Sequence, residues 1–198
     1  GFCYLTLRHS PRLSKAQAQR LVSIIHHSSL LDTLPLEEDL ITPSHEVLPG
    51  WSIPQGPANN AVPLPARLTL LYHLPVELHA MAEQLRQRLA LLADLMMGDR
   101  LIGEALEYAL DQWLRCDMLW PNLLTGAQYA HLQATLDAVQ SQPDARSRND
   151  ALRNVFNSLM EDAIMTPLFK YNYRISAPPG VNGLRLNARG WFDFASAW

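Results

Sequence analysis

Two kinds of apolar pattern follow one another along this chain, and their succession constrains its fold more than any other feature. Residues 2–8 carry β-branched, aromatic and leucine side chains in near alternation, which predicts a strand, and 67–72 is interpreted as a second strand. After Pro11 and again after Pro75, apolar residues recur every three or four positions, which predicts helices. Strands that alternate with helices indicate an α/β layer architecture.

The same two patterns continue to the end of the chain. Ser14 and Thr125 are the residues expected to cap helices. Residues 94–97 fit either the continuation of a helix or a buried strand, and alternation over 169–175 predicts another strand. Further helices are expected over 104–114, from 125 onward and over 143–163. A turn is expected at 178–180 and a short strand at 183–187.

Residues 32–66 interrupt this succession with seven prolines and two glycines. Proline removes a backbone donor and blocks helix formation, so we expect an extended, loop-rich connection. A loop of this length in a compact domain is either functional or poorly ordered.

Composition narrows the classes of partner. Hydrophobic residues make up 48% of the 198 residues and charged residues 18%, as in globular domains with a core. The net charge of -3 weighs against a nucleic-acid interface, because such domains usually carry a basic face. No run of about 18 apolar residues is present, so neither a spanning helix nor a membrane partner is expected. Cys3 and Cys116 do not make a disulfide framework and fit a reducing compartment.

The sequence lacks the constellations that enzymes and metal sites need. It contains no G-x-S-x-G elbow, no phosphate-binding P-loop and no G-x-G-x-x-G fingerprint after a strand. It contains no H-E-x-x-H and no C-x-x-C, and the adjacent His26 and His27 point to different faces of a helix. We therefore expect a protein that is not an enzyme and that uses neither a metal nor a cofactor.

Four residues are candidates for contacting a ligand: Asp99, Arg100, Glu104 and Trp51. Asp99 and Arg100 follow an apolar stretch, and polar residues at the carboxyl end of a strand are where ligands commonly bind to α/β sheets. The alternative for Asp99 is a helix cap beside a surface arginine. Trp51 lies in the proline-rich segment and is a candidate wall of a cleft, because small-molecule pockets combine aromatic walls with a few polar groups. The other tryptophans are expected to be packing residues.

Several segments together resemble one family of proteins. Residues 1–31 and 68–89 resemble the strand-then-helix units of the last large lobe of family 5 (oligopeptide-type) solute-binding proteins. The ending, in which 182–187 is followed by 190–194 and by Ala197-Trp198, closely resembles the ending of SgrR-type bacterial regulators. The resemblance covers nearly the whole chain.

The resemblance implies an α/β fold, a periplasmic-binding-protein-like (type II) lobe with a mixed sheet flanked by helices. Residues 1–165 would form this lobe, and 166–198 a returning tail with two short strands and an aromatic C-terminus. The implied function is that of a sensor lobe, which binds a small, sugar-phosphate-like metabolite in the cytoplasm. DNA would be bound only through an N-terminal region outside this chain. Two alternatives remain: a periplasmic carrier of peptide or nickel, and a protein-interaction module.

The sequence departs from the family pattern in three respects. A strand of the "G-I-x-L" type is missing between Ala90 and Leu91. Gly103 and Glu104 stand where oligopeptide binders use an aspartate, so peptide binding is in doubt. A single lobe is expected to bind a ligand weakly, because such domains close two lobes around it.

The tail is also expected to pack back on the lobe or to self-associate through its aromatic residues, which are Phe169, Tyr171, Tyr173, Trp191 and Phe194.

Overall fold

The computed structural model describes residues 2–27, 41–48, 50–51, 61–65, 70–72, 79–88, 95–100, 106–171, 178–186, 192–195 and 197–198. In chain order its elements are β1 (Phe2–Leu7), α1 (Lys15–His27), β2 (Ile41–Pro43), β3 (Leu70–Tyr72), α2 (His79–Arg88), β4 (Leu95–Arg100), α3 (Leu106–Cys116), α4 (Leu119–Leu123), α5 (Gly126–Gln140), α6 (Ala145–Glu161), β5 (Met165–Tyr171), β6 (Arg185–Leu186) and β7 (Phe192–Asp193).

A mixed sheet organises the described residues, as the sequence predicts. Its strand order is β2-β5-β1-β4-β3. The central strand β1 is antiparallel to both of its neighbours, whereas β3 and β4 are parallel. All six residues of β1 are buried. For residues 94–97, which the sequence left open between helix and strand, the structure shows a strand from Leu95 onward.

One face of β1 contributes to a helical core. Successive residues of a strand point to opposite faces, and Phe2 and Tyr4 share the face that packs against α3. Their rings lie 5.8 Å and 4.9 Å from that of Trp113. The Trp120 ring lies 5.2 Å from Trp113, and its indole nitrogen donates a hydrogen bond to the Trp113 carbonyl at 3.2 Å. The expectation that these two tryptophans are packing residues is confirmed.

The alternate residues of β1 are equally buried on the α1 side. Leu5 and Leu7 are inaccessible to solvent, as are the inward residues of α1, such as Leu21 and Ile25. Gln19 in α1 donates a hydrogen bond to the carbonyl oxygen of Glu161 at 2.8 Å, which ties this helix to the end of α6.

The helix starts follow the local signals. Ser14 and Gln17 exchange two hydrogen bonds, one from each backbone N–H to the other side chain, at 2.9 Å and 3.3 Å. Thr125 and Gln128 form the same reciprocal arrangement at the start of α5. Such a capping box satisfies backbone donors that have no partner inside the helix, so both predicted caps are confirmed.

Two strands differ from the sequence predictions. The proline-rich segment is not entirely irregular, because Ile41–Pro43 forms β2 and pairs with β5 at the edge of the sheet. Proline is tolerated there because an edge strand needs no donor on its outer side. The strand expected over 169–175 begins earlier, at Met165, and includes Pro167 beside a register shift in its pairing with β1. The pattern missed this start because proline in a strand is confined to such irregular positions.

β5 begins at Met165, beside the boundary predicted between 165 and 166. It lies between β1 and β2 in the sheet, and its residues Met165 and Phe169 are buried. The division into lobe and tail stays a prediction. The part of the tail that the structure describes beyond β5 contains the paired strands β6 and β7. Tyr173 and Trp191, which the self-association prediction also names, lie outside the described residues. Within the described ranges no helix is long and apolar enough to span a bilayer.

Candidate functional site

The carboxyl ends of β3, β4 and β5 lie at one edge of the sheet. Because β4 and β5 both run antiparallel to β1, Arg100 and Lys170 are each paired with Phe2, the first residue of β1. β3 runs parallel to β4 and ends at Tyr72, paired with Met97. We refer to this region, which is formed by the ends of these strands and not by an outer strand, as the carboxyl edge of the sheet. Ligands of open α/β proteins bind outside such ends.

Two of the four predicted site residues lie at the carboxyl edge. Asp99 is paired with Cys3 and Arg100 with Phe2, in the last two positions of β4. This placement is the one that the sequence predicts for polar residues that follow an apolar strand. Their role in contacting a ligand remains a prediction, and Glu104 lies outside the described residues.

Lys170 and Glu46 add an ion pair to the same edge. The Lys170 ammonium contacts the Glu46 carboxylate at 2.7 Å, and about a third of each side chain is exposed. The hydrogen bond from Lys170 lowers the pKa of Glu46 below its ordinary value, and a hydrogen bond from the Gly50 backbone N–H lowers it further. Glu46 is therefore held in its charged form in the folded protein.

Trp51 packs onto α6, and the described residues near it in the chain make backbone hydrogen bonds to it. The Trp51 and Val47 backbones share a hydrogen bond of 3.3 Å, and Gly50 adopts a positive φ of 76°. The Trp51 ring lies 5.9 Å from Phe156, half-buried against the helical core. The structure thus packs the Trp51 ring against α6, and the expected role of Trp51 in lining a cleft stays a prediction.

Sequence reasoning missed Lys170 and Glu46. The available signal was a single charged residue, Lys170, in an otherwise apolar strand, since a charge in a buried strand needs a partner. Glu46 could not be identified in advance, because its partner is 124 positions away in sequence.

Three side chains near the other end of β5 form a small histidine cluster. The His26 Nε2 lies 2.6 Å from the Thr166 hydroxyl, and the His26 and His45 rings are 4.3 Å apart. Imidazole is a common metal ligand, but structural sites usually have four ligands. Among the residues described, no group of three or more His, Cys, Asp or Glu side chains could hold a metal ion.

The chain is similar over its whole length to one curated protein. It is 58% identical, over 220 aligned residues, to the uncharacterized protein YbaE of Escherichia coli strain K12. The aligned stretch is longer than the 198 residues of this chain, so the relative contains residues there that this chain lacks. The position between Ala90 and Leu91, where a missing segment is expected, lies outside the described residues. The chain spans 39% of the length of this relative.

Solved structures of solute-binding proteins share the fold. The structure of NikA from Brucella suis in complex with Fe(III)-EDTA aligns with 86% of this chain at a TM-score of 0.59 and 11% identity, over 45% of its own length. Clavulanic acid biosynthesis oligopeptide binding protein 2 aligns with 99% of the chain at a TM-score of 0.59 and 17% identity, over 46% of its length. No family model matches the chain. The chain therefore has the α/β fold of periplasmic-binding-protein-like proteins, as the sequence predicts.

Proposed function

We propose that this chain is the ligand-binding lobe of an SgrR-type regulator and that it binds a small anionic metabolite at the carboxyl edge of the sheet. The observation that carries the proposal is the pairing of Arg100 and Lys170 with the same residue, Phe2. This register brings two basic residues into one row across three strands. The similarity to YbaE and the fold of solute-binding proteins support a ligand-binding role.

The charges at this edge suit a phosphorylated sugar. Lys170 is paired with Glu46, and its ammonium group has three N–H donors, so a phosphate oxygen can accept a hydrogen bond from it as well. Arg100 then provides the guanidinium group, which can bind two phosphate oxygens at once.

A second lobe is needed for tight binding. Two-lobed proteins close around a ligand by hinge motion, and the chain covers less than half of each similar structure. We expect the isolated chain to bind weakly and the longest natural polypeptide that contains it to bind more tightly. DNA binding would be carried by a further N-terminal region, with the whole protein in the cytoplasm.

A thermal-shift screen of that longest polypeptide tests the proposal. A ligand that binds only the folded state raises the unfolding midpoint. We expect a rise with a hexose phosphate, and none with the free hexose or with inorganic phosphate alone at equal concentration. A rise with a dipeptide or with nickel, and none with the hexose phosphate, would contradict the sensor proposal.

A second candidate function is that of a transport-type carrier in the periplasm. It is favoured by two similar structures, one of NikA in complex with Fe(III)-EDTA and the other of an oligopeptide binding protein. The same screen separates it from the sensor, because a carrier of this kind would respond to dipeptide or metal.

A third candidate is a protein-interaction module without a small ligand. The described part of the tail exposes large apolar side chains, with Phe194 at 70% and Trp198 at 81%. Exposed apolar residues commonly mark association surfaces. A screen with no response to any ligand class, together with self-association through these residues, would favour this function.

A further inference from the structure

A cavity of about 320 Å³ lies among α3, α5 and α6. Its described lining comes from these three helices and includes no residue of the sheet. Val139 and Leu152, both nearly fully buried, give it an apolar wall. The volume falls at the lower end of the range for small-molecule sites, which suits a metabolite.

One buried carboxylate lines this cavity. Asp111 in α3 is only 9% exposed. Its Oδ2 accepts hydrogen bonds from the Arg115 Nε at 3.0 Å and from the Gln140 Nε2 at 3.4 Å. Its Oδ1 is buried and has no hydrogen-bond partner among the described residues. A buried carboxylate oxygen without a donor is costly, so this position favours the arrival of one.

The surrounding charges favour a cationic donor. Arg115 also donates to the Asp137 carboxylate, at 2.8 Å, so one guanidinium is shared between two carboxylates. Burial alone would lower the pKa of Arg115, but the hydrogen bonds to Asp137 and Asp111 outweigh it and raise that pKa above its ordinary value. Arg115 therefore stays charged, and the three groups together carry one net negative charge.

A second basic residue lines the same cavity. Arg148 in α6 donates from Nη1 to the Gln142 carbonyl at 3.1 Å. A guanidinium has five N–H donors, so this bond leaves others for a carboxylate. The Asn149 side chain, next to it on α6, also lines the cavity.

We propose that this cavity binds a small aliphatic amino acid as its zwitterion. The ammonium group binds Asp111, the carboxylate binds Arg148, and the side chain packs on Val139 and Leu152. Gln140 is exposed and its contact with the Asp111 Oδ2 is long, so the ammonium group replaces it and also donates to the unpartnered Oδ1, in stronger, charge-assisted hydrogen bonds.

Calorimetric titration of the full chain with L-leucine tests this proposal. We expect binding of L-leucine, weaker binding of isocaproate, which lacks the ammonium group, and weaker binding of isoamylamine, which lacks the carboxylate. Asp111→Asn and Arg148→Gln should each weaken L-leucine binding by about tenfold or more, because each removes a hydrogen bond to a charged group.

Asp137→Asn is the matched control for Asp111→Asn. It removes the same charge from the same arginine, but Asp137 is 74% exposed at its side chain and is not among the cavity's lining residues. We expect this variant to weaken L-leucine binding less than Asp111→Asn does, because only Asp111 lines the cavity and contacts the ammonium group. Equal losses in the Asp111 and Asp137 variants, an Arg148→Gln variant that binds normally, or no binding by the parent would each overturn the proposal.

The outcome is independent of the sheet-edge function. Arg100→Gln alters the carboxyl edge and leaves the helical cavity unchanged, so L-leucine binding should persist in that variant. Arg148 is exposed on α6, so its variant should fold and remain informative even if the Asp111 variant does not.

Discussion

The Lys170 ammonium and the Glu46 carboxylate, 2.7 Å apart, join the proline-rich segment to the end of β5. Both lie at the edge where the proposed ligand site begins. The lowered pKa of Glu46 means that the folded state prefers the charged carboxylate. Glu46 therefore contributes stability above the ordinary carboxylate pKa, and this contribution is lost as the pH falls through the lowered value.

We predict that Glu46→Gln destabilises the protein at about pH 7 and that this difference shrinks at an acidic pH below the lowered pKa of Glu46, where the parent's Glu46 is protonated as well. Urea unfolding of both proteins at the two pH values measures the change. Glu161→Gln, the same substitution at an exposed position in α6, serves as control and should have little effect at either pH. An equal difference between parent and Glu46→Gln at both pH values would contradict the argument.

Helices show which parts of the fold are encoded locally. Ser14 and Thr125 identify their helix starts in the sequence, because a capping box needs only residues three positions apart. β2 and the start of β5 could not be found in this way. β2 forms only because it pairs with residues more than 120 positions later in the chain. The start of β5 was hidden by Pro167, which a strand tolerates there because the pairing with β1 shifts its register beside this residue.

We predict that Thr125→Ala lowers the free energy of unfolding by about 1 kcal/mol, because the exposed cap loses its acceptor for the Gln128 N–H. Thr135→Ala makes the same chemical change inside α5 and should be neutral or slightly stabilising, because alanine has the higher helix propensity. Chemical unfolding followed by circular dichroism compares the two variants. If both changes have the same effect, the cap does not stabilise α5.

The whole molecule has the fold of solute-binding proteins, although it spans less than half of the solved structures that it matches. The fold class was predictable because strand and helix patterns alternate along the chain. Only some of the residues at the carboxyl edge were predictable from the sequence. Asp99 and Arg100 follow a strand in the sequence, but only the register of β1 brings Lys170 beside them.

At this scale we predict concentration-dependent self-association through the tail. Phe194→Ser should reduce it, because that side chain is 70% exposed and apolar. Met118→Ser is the matched control, since Met118 is equally exposed but lies between α3 and α4. Sedimentation velocity measures the species present, and a strictly monomeric parent at all concentrations would contradict the prediction.

The most direct test of the central claim is a calorimetric titration of the longest natural polypeptide with a hexose phosphate, comparing Arg100→Gln with Arg146→Gln. Arg146 is exposed on α6, away from β4 in the sequence, and receives the same substitution. We predict that Arg100→Gln weakens binding by about tenfold or more, because the phosphate loses charge-assisted hydrogen bonds, and that Arg146→Gln binds as the parent does. Unchanged affinity in Arg100→Gln would contradict a ligand site at the carboxyl edge of the sheet.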